Sequence, residues 1–342
     1  MLRAQLSAGA TEFSARQDGG VFMTKSKVIV RSTKGRNVGD ATREVLEGLQ
    51  WQQIVQANAK VALKLNLCDP DPVKAIAADT SPDLVRAVCE ILLERTKNIT
   101  LVEADSYRYP AEDAFRNVGI YRLGEGLGLP VVNLTKAPCR EVGNRILGPL
   151  PEVILDADVF VTLPVLKTHC LTYFTGSLKN QWGCVPRFDR ISLHYALDNL
   201  LVDLQRILRP KLCIMDGIVG VDGRGPTNGR PRPLDLVLGS RDGVALDATA
   251  MRLVGLNPAL CRHVVMAADA GLGASAENEI DLDSNVARSW EDFEPAKLDW
   301  AVDWMNRLTK YRLFREHILG VNAIFYPTKK LVGLLRNVGI VR

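Results

Sequence analysis

The chain has 342 residues, of which 47% are hydrophobic and 24% charged, and its formal net charge is +4 at pH 7. This length is enough for one large α/β domain or two smaller ones, each with a buried core. The small positive excess and the aromatic content of 6% do not fit a nucleic-acid-binding surface, so we expect no nucleic-acid partner. No apolar run reaches the length that spans a bilayer.

The N-terminal 22 residues lack the continuous apolar segment of a secretory signal. We therefore expect residues 1–22 to be a flexible extension. The seven cysteines are odd in number and form no C-x-x-C pair, a pattern that indicates reduced thiols instead of a disulfide framework. We predict a cytoplasmic protein.

Strand-like and helical patterns alternate along the rest of the chain. The strand-like runs are KVIVRS, VALKLNL, NITLVEAD, LPVVNL, ADVFVTLP, KLCIMDGI and DLVLGS. Helical spacing marks residues 40–56, DTSPDLVRAVCEILLERT, PAEDAFRNVGI, residues 195–209 and DGVALDATAMRLVG. This alternation predicts an α/β domain over residues 23–296, with a mainly parallel, doubly wound sheet and helices on both faces. A loop-like seam lies near residues 137–148.

The C-terminal segment, residues 297–342, differs in charge from the rest of the chain. It holds nine lysines and arginines against three acidic residues, with aromatic residues at helical spacing. We predict a basic amphipathic helical segment. Either it packs its aromatic stripe on the domain, or it contacts a membrane surface or a protein partner.

In open α/β sheets, ligands bind beyond the carboxyl ends of the strands. Polar residues follow several predicted strands at that position. We expect Lys64, Asp105, Lys167, Asp216 and Ser240 to lie toward one edge of a single sheet.

The segment LPVLKTHCLTYFTGSLKNQWG, residues 163–183, places polar side chains directly after an apolar run. Lys167 and Lys179 suit a carboxylate or a phosphate, and His169 suits a general acid or base. We expect the segment to fold back so that these side chains and Asn180 line one concave site. Replacing either lysine by alanine should then remove ligand binding and leave thermal stability unchanged or slightly raised.

A second informative stretch is DGIVGVDGRGPTNGRP, residues 216–231. Its glycines allow backbone N–H groups to approach an anion, although it matches neither the P-loop nor the dinucleotide-binding pattern. A long glycine-rich turn fits equally well. Asp216 and Asp222 are candidate ligands for a divalent metal, but acidic residues in turns commonly bond only to local backbone.

Together, these segments resemble the family called domain of unknown function 362. The resemblance covers VALKLNL, TSPDLVRAVCEILLE, ILDADVFVTLPVLKTH, TGSLKNQWGCVP, LCIMDGIVGVDGRGPTNGRP and DGVALDATAMRLVG, in that order. It implies an α/β domain without an established reaction. Some members carry ferredoxin-type cysteine runs, but this chain has no C-x₂-C-x₂-C-x₃-C run, so no such iron–sulfur motif is expected here.

From these patterns we predict an enzyme acting on a small anionic molecule, carboxylated or phosphorylated, with a divalent metal as a candidate cofactor. The candidate residues are, for catalysis, His169, Lys167, Lys179 and Asp216; for substrate binding, Lys64, Asn66, Thr168, Thr175, Gly176, Asn180, Gly217, Gly225 and Gly229; and for metal binding, Asp216 and Asp247.

Two alternative functions remain open. One is a redox or metal-centre protein in which Cys170 or Cys184 acts with His169 as a ligand. The other is a non-catalytic binding protein that uses residues 297–342 at a membrane surface or in an assembly.

Asp247 lies within a predicted helix, so a purely structural role as a helix-turn acid or cap also fits it.

Overall fold

A computed structural model of the chain describes residues 25–106, 109–187, 189–286, 290, 292–297, 303–304, 307–311 and 314. The predictions for residues 1–22 and for most of residues 297–342 therefore concern residues outside the described part. Within it, no helix is both long and apolar enough to cross a membrane.

Twelve strands and eleven α-helices are found in the described residues. The strands are β1 Ser26–Ser32, β2 Val61–Lys64, β3 Ile99–Glu103, β4 Val131–Asn133, β5 Cys139–Arg140, β6 Leu150–Pro151, β7 Val159–Thr162, β8 Val165–His169, β9 Tyr173–Phe174, β10 Leu212–Asp222, β11 Arg230–Ser240 and β12 Ile280–Ser284. The helices are α1 Val38–Gly48, α2 Trp51–Ile54, α3 Pro72–Ala78, α4 Pro82–Leu93, α5 Ala111–Asn117, α6 Ile120–Leu127, α7 Glu152–Leu155, α8 Ser177–Asn180, α9 Leu197–Leu208, α10 Gly243–Leu253 and α11 Arg262–Asp269.

The main sheet has the strand order β12-β1-β11-β10-β7-β2-β3-β4, and β8 and β9 extend it from β10. Along this order, every pairing is parallel except the two that β11 makes. The predicted mainly parallel sheet is therefore confirmed. Strands β4 and β7, which flank the segment around residues 137–148, belong to this same sheet, and the chain between them carries the small β5–β6 ladder.

Helices cover both faces of the sheet, as predicted. Val61 and Leu63 of β2 pack in one apolar cluster with residues of α1 and α4. Ala62, which lies between them, packs in another cluster with residues of α9. Successive side chains of a strand point to opposite faces, so this division requires a sheet that is buried on both sides. α10 and α11 complete the second face against β10 and β11.

Local sequence explains where two of the helices begin and end. Ser81 caps α4 by accepting a hydrogen bond from the N–H of Asp83, and Pro82 occupies the first turn. The predicted helix over residues 40–56 is instead divided into α1 and α2, because Gln50 adopts a left-handed conformation with φ of 56°.

Candidate functional site

The candidate site lies where β2, β7 and β8 meet β10. Lys64 and Thr162 are paired at the ends of β2 and β7, and Asp216 of β10 is paired with Val165 at the start of β8. Strand β8 then carries Lys167 toward the same edge. The prediction is wrong for Ser240: β11 is antiparallel, so Ser240 lies beside Cys213 at the amino end of β10.

Lys167 is fully buried and belongs to a polar network inside the protein. Its Nζ donates hydrogen bonds to Asn66 Oδ1 at 2.7 Å and to the carbonyl of Ala78. Asn66 in turn donates to Asn180 Oδ1 at 2.9 Å, and Asn180 donates to Thr162 Oγ1 at 2.8 Å. The KTH and SLKN segments are therefore joined as predicted, but their link is a closed internal network and not an open cleft.

Asp79 supplies a buried carboxyl group close to Lys167, and the sequence analysis missed it. Its Oδ1 accepts hydrogen bonds from the backbone N–H groups of Cys68 and Asp69. Burial raises the pKa of Asp79 to about 7, while the positive charge of Lys167 opposes this shift. Asp79 directly precedes the sequence TSP, at which α4 begins. This position is the signal that could have identified it.

Lys64 is held by a buried ion pair and does not face an open site. Its Nζ lies 2.6 Å from Glu103 Oε1 and also donates to the carbonyl of Leu65. Gly183 packs against this pair so closely that a Cβ there would lie 2.6 Å from Lys64 Nζ. Lys64 therefore has a structural role beside the site, and the Glu103 carboxylate neutralises its charge.

Lys179 lies at the accessible side of the network, near Arg190. Burial lowers the pKa of Arg190, and the charges of Glu103 and Asp105 act against this shift. Lys179 is half-buried, and no described residue accepts a hydrogen bond from its ammonium group or forms an ion pair with it. Burial and the charges of Arg190 and Lys167 lower the pKa of Lys179 to about 8. Burial and Lys179 also lower the pKa of His194 to about 3.

His169 ends β8 as a neutral imidazole. Its Nδ1 accepts hydrogen bonds from the backbone N–H groups of Leu171 and Thr172, at 3.1 and 3.3 Å. Burial and the nearby charge of Lys179 hold its pKa well below the ordinary value. Because Nδ1 accepts, the single proton of the neutral ring lies on Nε2. His169 is therefore a hydrogen-bond donor through Nε2.

The turn that precedes Lys179 depends on Gly176 and Asp247. Asp247 is fully buried on α10 and accepts hydrogen bonds from the N–H groups of Ser177 and Leu178, at 2.6 and 3.0 Å. Gly176 has φ of 105°, and a Cβ there would lie 2.2 Å from Asp247 Oδ1. Asp247 thus holds α8 in place. Thr175 is buried beside this turn, and its backbone N–H bonds to the carbonyl of Lys167.

Most of the predicted glycine-rich loop is a long β-hairpin. Gly217 lies within β10, and only residues 223–229 form the turn between β10 and β11. A Cβ at Gly225 would lie 2.0 Å from the carbonyl oxygen of Thr168, and one at Gly229 would lie 2.2 Å from that of Asp222. These two glycines allow the backbone of the turn to pack closely against the backbone of β8 and β10. Thr168 Oγ1 bonds to carbonyl groups of the hairpin instead of facing a ligand.

The described carboxylates do not form a metal-binding cluster. No group of three or more His, Cys, Asp or Glu side chains in the described ranges is placed to hold a metal ion. Asp216 accepts hydrogen bonds from the N–H groups of Ser81 and Ile218, at 2.7 and 3.0 Å. Asp222 forms ion pairs with Arg230 and Arg232. Asp216 and Asp247 are both committed to backbone N–H groups.

The cysteines named in the redox alternative lie in different environments. Cys184 is fully buried, and burial raises its pKa to about 12, so it is a space-filling thiol. Cys170 is half-buried next to His169 in the chain. The sequence analysis missed Cys68, which is half-buried beside Lys167, and also Arg190. Neither residue stands in a recognisable pattern.

Three buried carboxyls with a raised pKa, those of Asp79, Asp216 and Asp247, predict an unusual pH dependence of stability together with the buried histidines. Burial raises the pKa of Asp79 to about 7, that of Asp216 to about 6 and that of Asp247 to about 8. A raised carboxyl pKa means that the folded state binds more protons, so stability is lost as pH rises through the folded value. Below about pH 6.5, the neutral buried histidines oppose this loss, because unfolding would protonate them.

We therefore expect the free energy of unfolding to fall between about pH 6.5 and 8. In Asp247→Asn this fall should be less steep, by up to about 1.4 kcal/mol per pH unit, because one titrating group is gone. Urea denaturation at several pH values measures both slopes. Equal slopes in the two proteins would contradict the prediction, whatever their absolute stabilities.

Three comparisons with known proteins give the following similarities. A profile of the family described as "Domain of unknown function (DUF362)" matches residues 61–252. The "Thylakoid-associated protein sll1697" of Synechocystis sp. (strain ATCC 27184 / PCC 6803 / Kazusa) is 29% identical over 268 residues, which cover 74% of this chain and 82% of that protein. The lactate racemase apoprotein of Thermoanaerobacterium thermosaccharolyticum aligns with a TM-score of 0.47 at 9% identity, over 68% of this chain and 58% of that one.

The fold and the site define a doubly wound α/β protein with a buried polar network at the meeting point of its central strands. The matched residues run from β2 to α10 and include Lys64, Lys167, Lys179 and Asp247. The chain belongs to the DUF362 family, because the family profile covers more than half of it.

Proposed function

We propose that this protein is an enzyme that binds a small carboxylated or phosphorylated molecule at Lys179 and His169. One observation carries the proposal: both side chains offer hydrogen-bond donors that no described residue accepts, the ammonium group of Lys179 and Nε2–H of His169. The two groups are close enough for the charge of Lys179 to lower the pKa of His169. This pair is therefore the reactive part of the predicted Lys/His/Asp site.

The charge around Lys179 favours an anion. Lys167 and Arg190 both lower the pKa of Lys179, so like charges repel one another at this point. No carboxylate in the described residues forms an ion pair with Lys179 or Arg190. A bound carboxylate or phosphate would relieve the repulsion and accept charge-assisted hydrogen bonds.

The same environment supports proton transfer. With a pKa of about 8, Lys179 exchanges protons near neutral pH, where an ordinary lysine does not. His169 is neutral and donates through Nε2, so in this proposal Lys179 moves the proton and His169 orients the substrate. The sequence analysis had assigned the proton transfer to His169. The described cysteines form no disulfide bond with one another, which supports placing this activity in the cytoplasm.

Thermal unfolding with a panel of phosphates and small carboxylates tests the binding step. A ligand at one hundred times its dissociation constant stabilises the folded state by about 2.7 kcal/mol. We expect at least one anion to raise the Tm of the wild-type protein, and we expect Lys179→Met to lose this increase.

The matched control is Lys136→Met, because Lys136 is exposed and paired with Glu112 on the surface. This variant should keep the increase in Tm. An increase that survives in Lys179→Met, or the absence of any stabilising anion in the panel, would contradict the proposal.

A further inference from the structure

Cys68 lies at the accessible side of the polar network, within reach of the same cations. It follows β2 by four residues and is half-buried. Lys167 Nζ lies 3.0 Å from its Sγ, and Sγ lies 3.2 Å from Asn66 Oδ1. Hydrogen bonds to Asn66 and to the carbonyl of Ala78 fix the position of Lys167. Its ammonium group therefore already lies in contact with the sulfur.

Two further cations act on this thiol. Burial lowers the pKa of both Lys179 and Arg190, and the Cys68 sulfur opposes this shift in each case, so both cations lie near the sulfur. Two groups oppose negative charge on the sulfur. Asn66 Oδ1 accepts a hydrogen bond from the Cys68 thiol, and Asp79 accepts one from the N–H of Cys68 but is itself faced by Lys167. The ammonium group of Lys167, fixed in contact with Sγ, stabilises negative charge that develops on the sulfur as it reacts, as at other nucleophilic cysteines.

We propose that Cys68 is a nucleophile of this site and attacks an electrophilic carbon of a small carboxylated molecule held by Lys179. The C–S bond forms as the bond from that carbon to its leaving group breaks, and the leaving group departs with the bonding electron pair. If the sulfur begins as a thiol, its proton passes to solvent. The preference for a carboxylated molecule rests on the proposed function, whereas the nucleophilicity of the sulfur rests on its own contacts.

Cys139 provides a control within the same chain. It is also half-buried, but its Sγ contacts the carbonyl of Ala137, and no cation in the described part of the chain bonds to it. Burial and the charge of Glu152 raise the pKa of the Cys139 thiol. The two cysteines therefore share a similar exposure and differ in the charge around the sulfur.

Alkylation with iodoacetate and with neutral iodoacetamide, followed by mass spectrometry of the peptides that carry Cys68 and Cys139, tests the proposal. We expect iodoacetate to modify Cys68 roughly tenfold faster than Cys139. The ratio of iodoacetate to iodoacetamide rates should also be higher at Cys68 than at Cys139. In Lys179→Met that ratio at Cys68 should fall toward the Cys139 value, with folding confirmed by a cooperative thermal transition.

Equal rates at the two cysteines would overturn the inference, and so would a Cys68 rate that does not favour the anionic reagent. Cys68→Ser separates this inference from the proposed function. If that variant keeps the anion-dependent increase in Tm while wild-type Cys68 fails the alkylation test, only the nucleophile is refuted. If no anion stabilises the wild-type protein or the variant, the proposed function itself is refuted.

Discussion

Replacing Lys167 by methionine is expected to lower the free energy of unfolding by about 3–5 kcal/mol, because each buried acceptor left without its donor costs about 1–3 kcal/mol. Methionine keeps most of the side-chain volume but removes the ammonium group. The carbonyl of Ala78 and Oδ1 of Asn66 then lose their donor, and Asp79 loses the cation that opposes its burial. This expectation replaces the one drawn from the sequence, in which both lysines were to be dispensable for stability.

Lys179→Met is the matched comparison, because it removes a lysine ammonium group from the same site. We expect its free energy of unfolding to be unchanged or slightly raised, since Lys179 has no acceptor among the described residues and is repelled by Lys167 and Arg190. Urea denaturation measures both variants. Similar losses in the two would mean that Lys179 is also structural, and stable Lys167→Met would show that its network contributes little.

A double-mutant cycle with Asp79→Asn identifies the source of the Lys167 effect. If the cost arises from leaving the Asp79 carboxyl without its cation, Lys167→Met should cost less in the Asp79→Asn background. An unchanged cost would assign the effect to the hydrogen bonds with Asn66 and Ala78.

Gly176→Ala is expected to lower the free energy of unfolding by roughly 3–5 kcal/mol. Gly176 has φ of 105°, which an L-residue adopts only with strain. The added Cβ would also lie 2.2 Å from Oδ1 of the fully buried Asp247. To relieve this overlap, Asp247 must move and weaken its bonds to the N–H groups of Ser177 and Leu178. Lys179 should be displaced with α8, so stabilisation by anions should be lost as well.

Gly119→Ala separates backbone strain from steric overlap. Gly119 has φ of 86°, but a Cβ there would meet no atom within 4 Å. We expect this variant to lose only about 1–2 kcal/mol, the cost of a left-handed conformation for an L-residue, and to keep its response to anions. Chemical denaturation of both variants measures the difference. Equal losses would show that the Asp247 contact adds nothing to the conformational cost.

The architecture could be predicted from the sequence because it depends on local patterns. Alternating apolar strands and amphipathic helices specify a sheet buried on both faces, and SPD at residues 81–83 specifies the start of α4. The break at Gln50 and the antiparallel direction of β11 were missed. Neither leaves a periodic signal, since both depend on how distant segments pair.

The sequence by itself also determined the chemical character of the site: lysines, a histidine, asparagines and carboxyls placed after strands that end at one region. It did not determine which of these groups are committed to the protein. Lys64 forms an ion pair with Glu103, Asp247 accepts hydrogen bonds from two backbone N–H groups, and Lys167 donates hydrogen bonds to internal acceptors. These partners lie between 39 and 101 residues away along the chain. Only tertiary packing brings them within hydrogen-bonding distance, because residues so far apart in the chain share no local pattern. Lys179 and Nε2–H of His169 find no acceptor among the described residues, which is why we propose them as the ligand-binding groups.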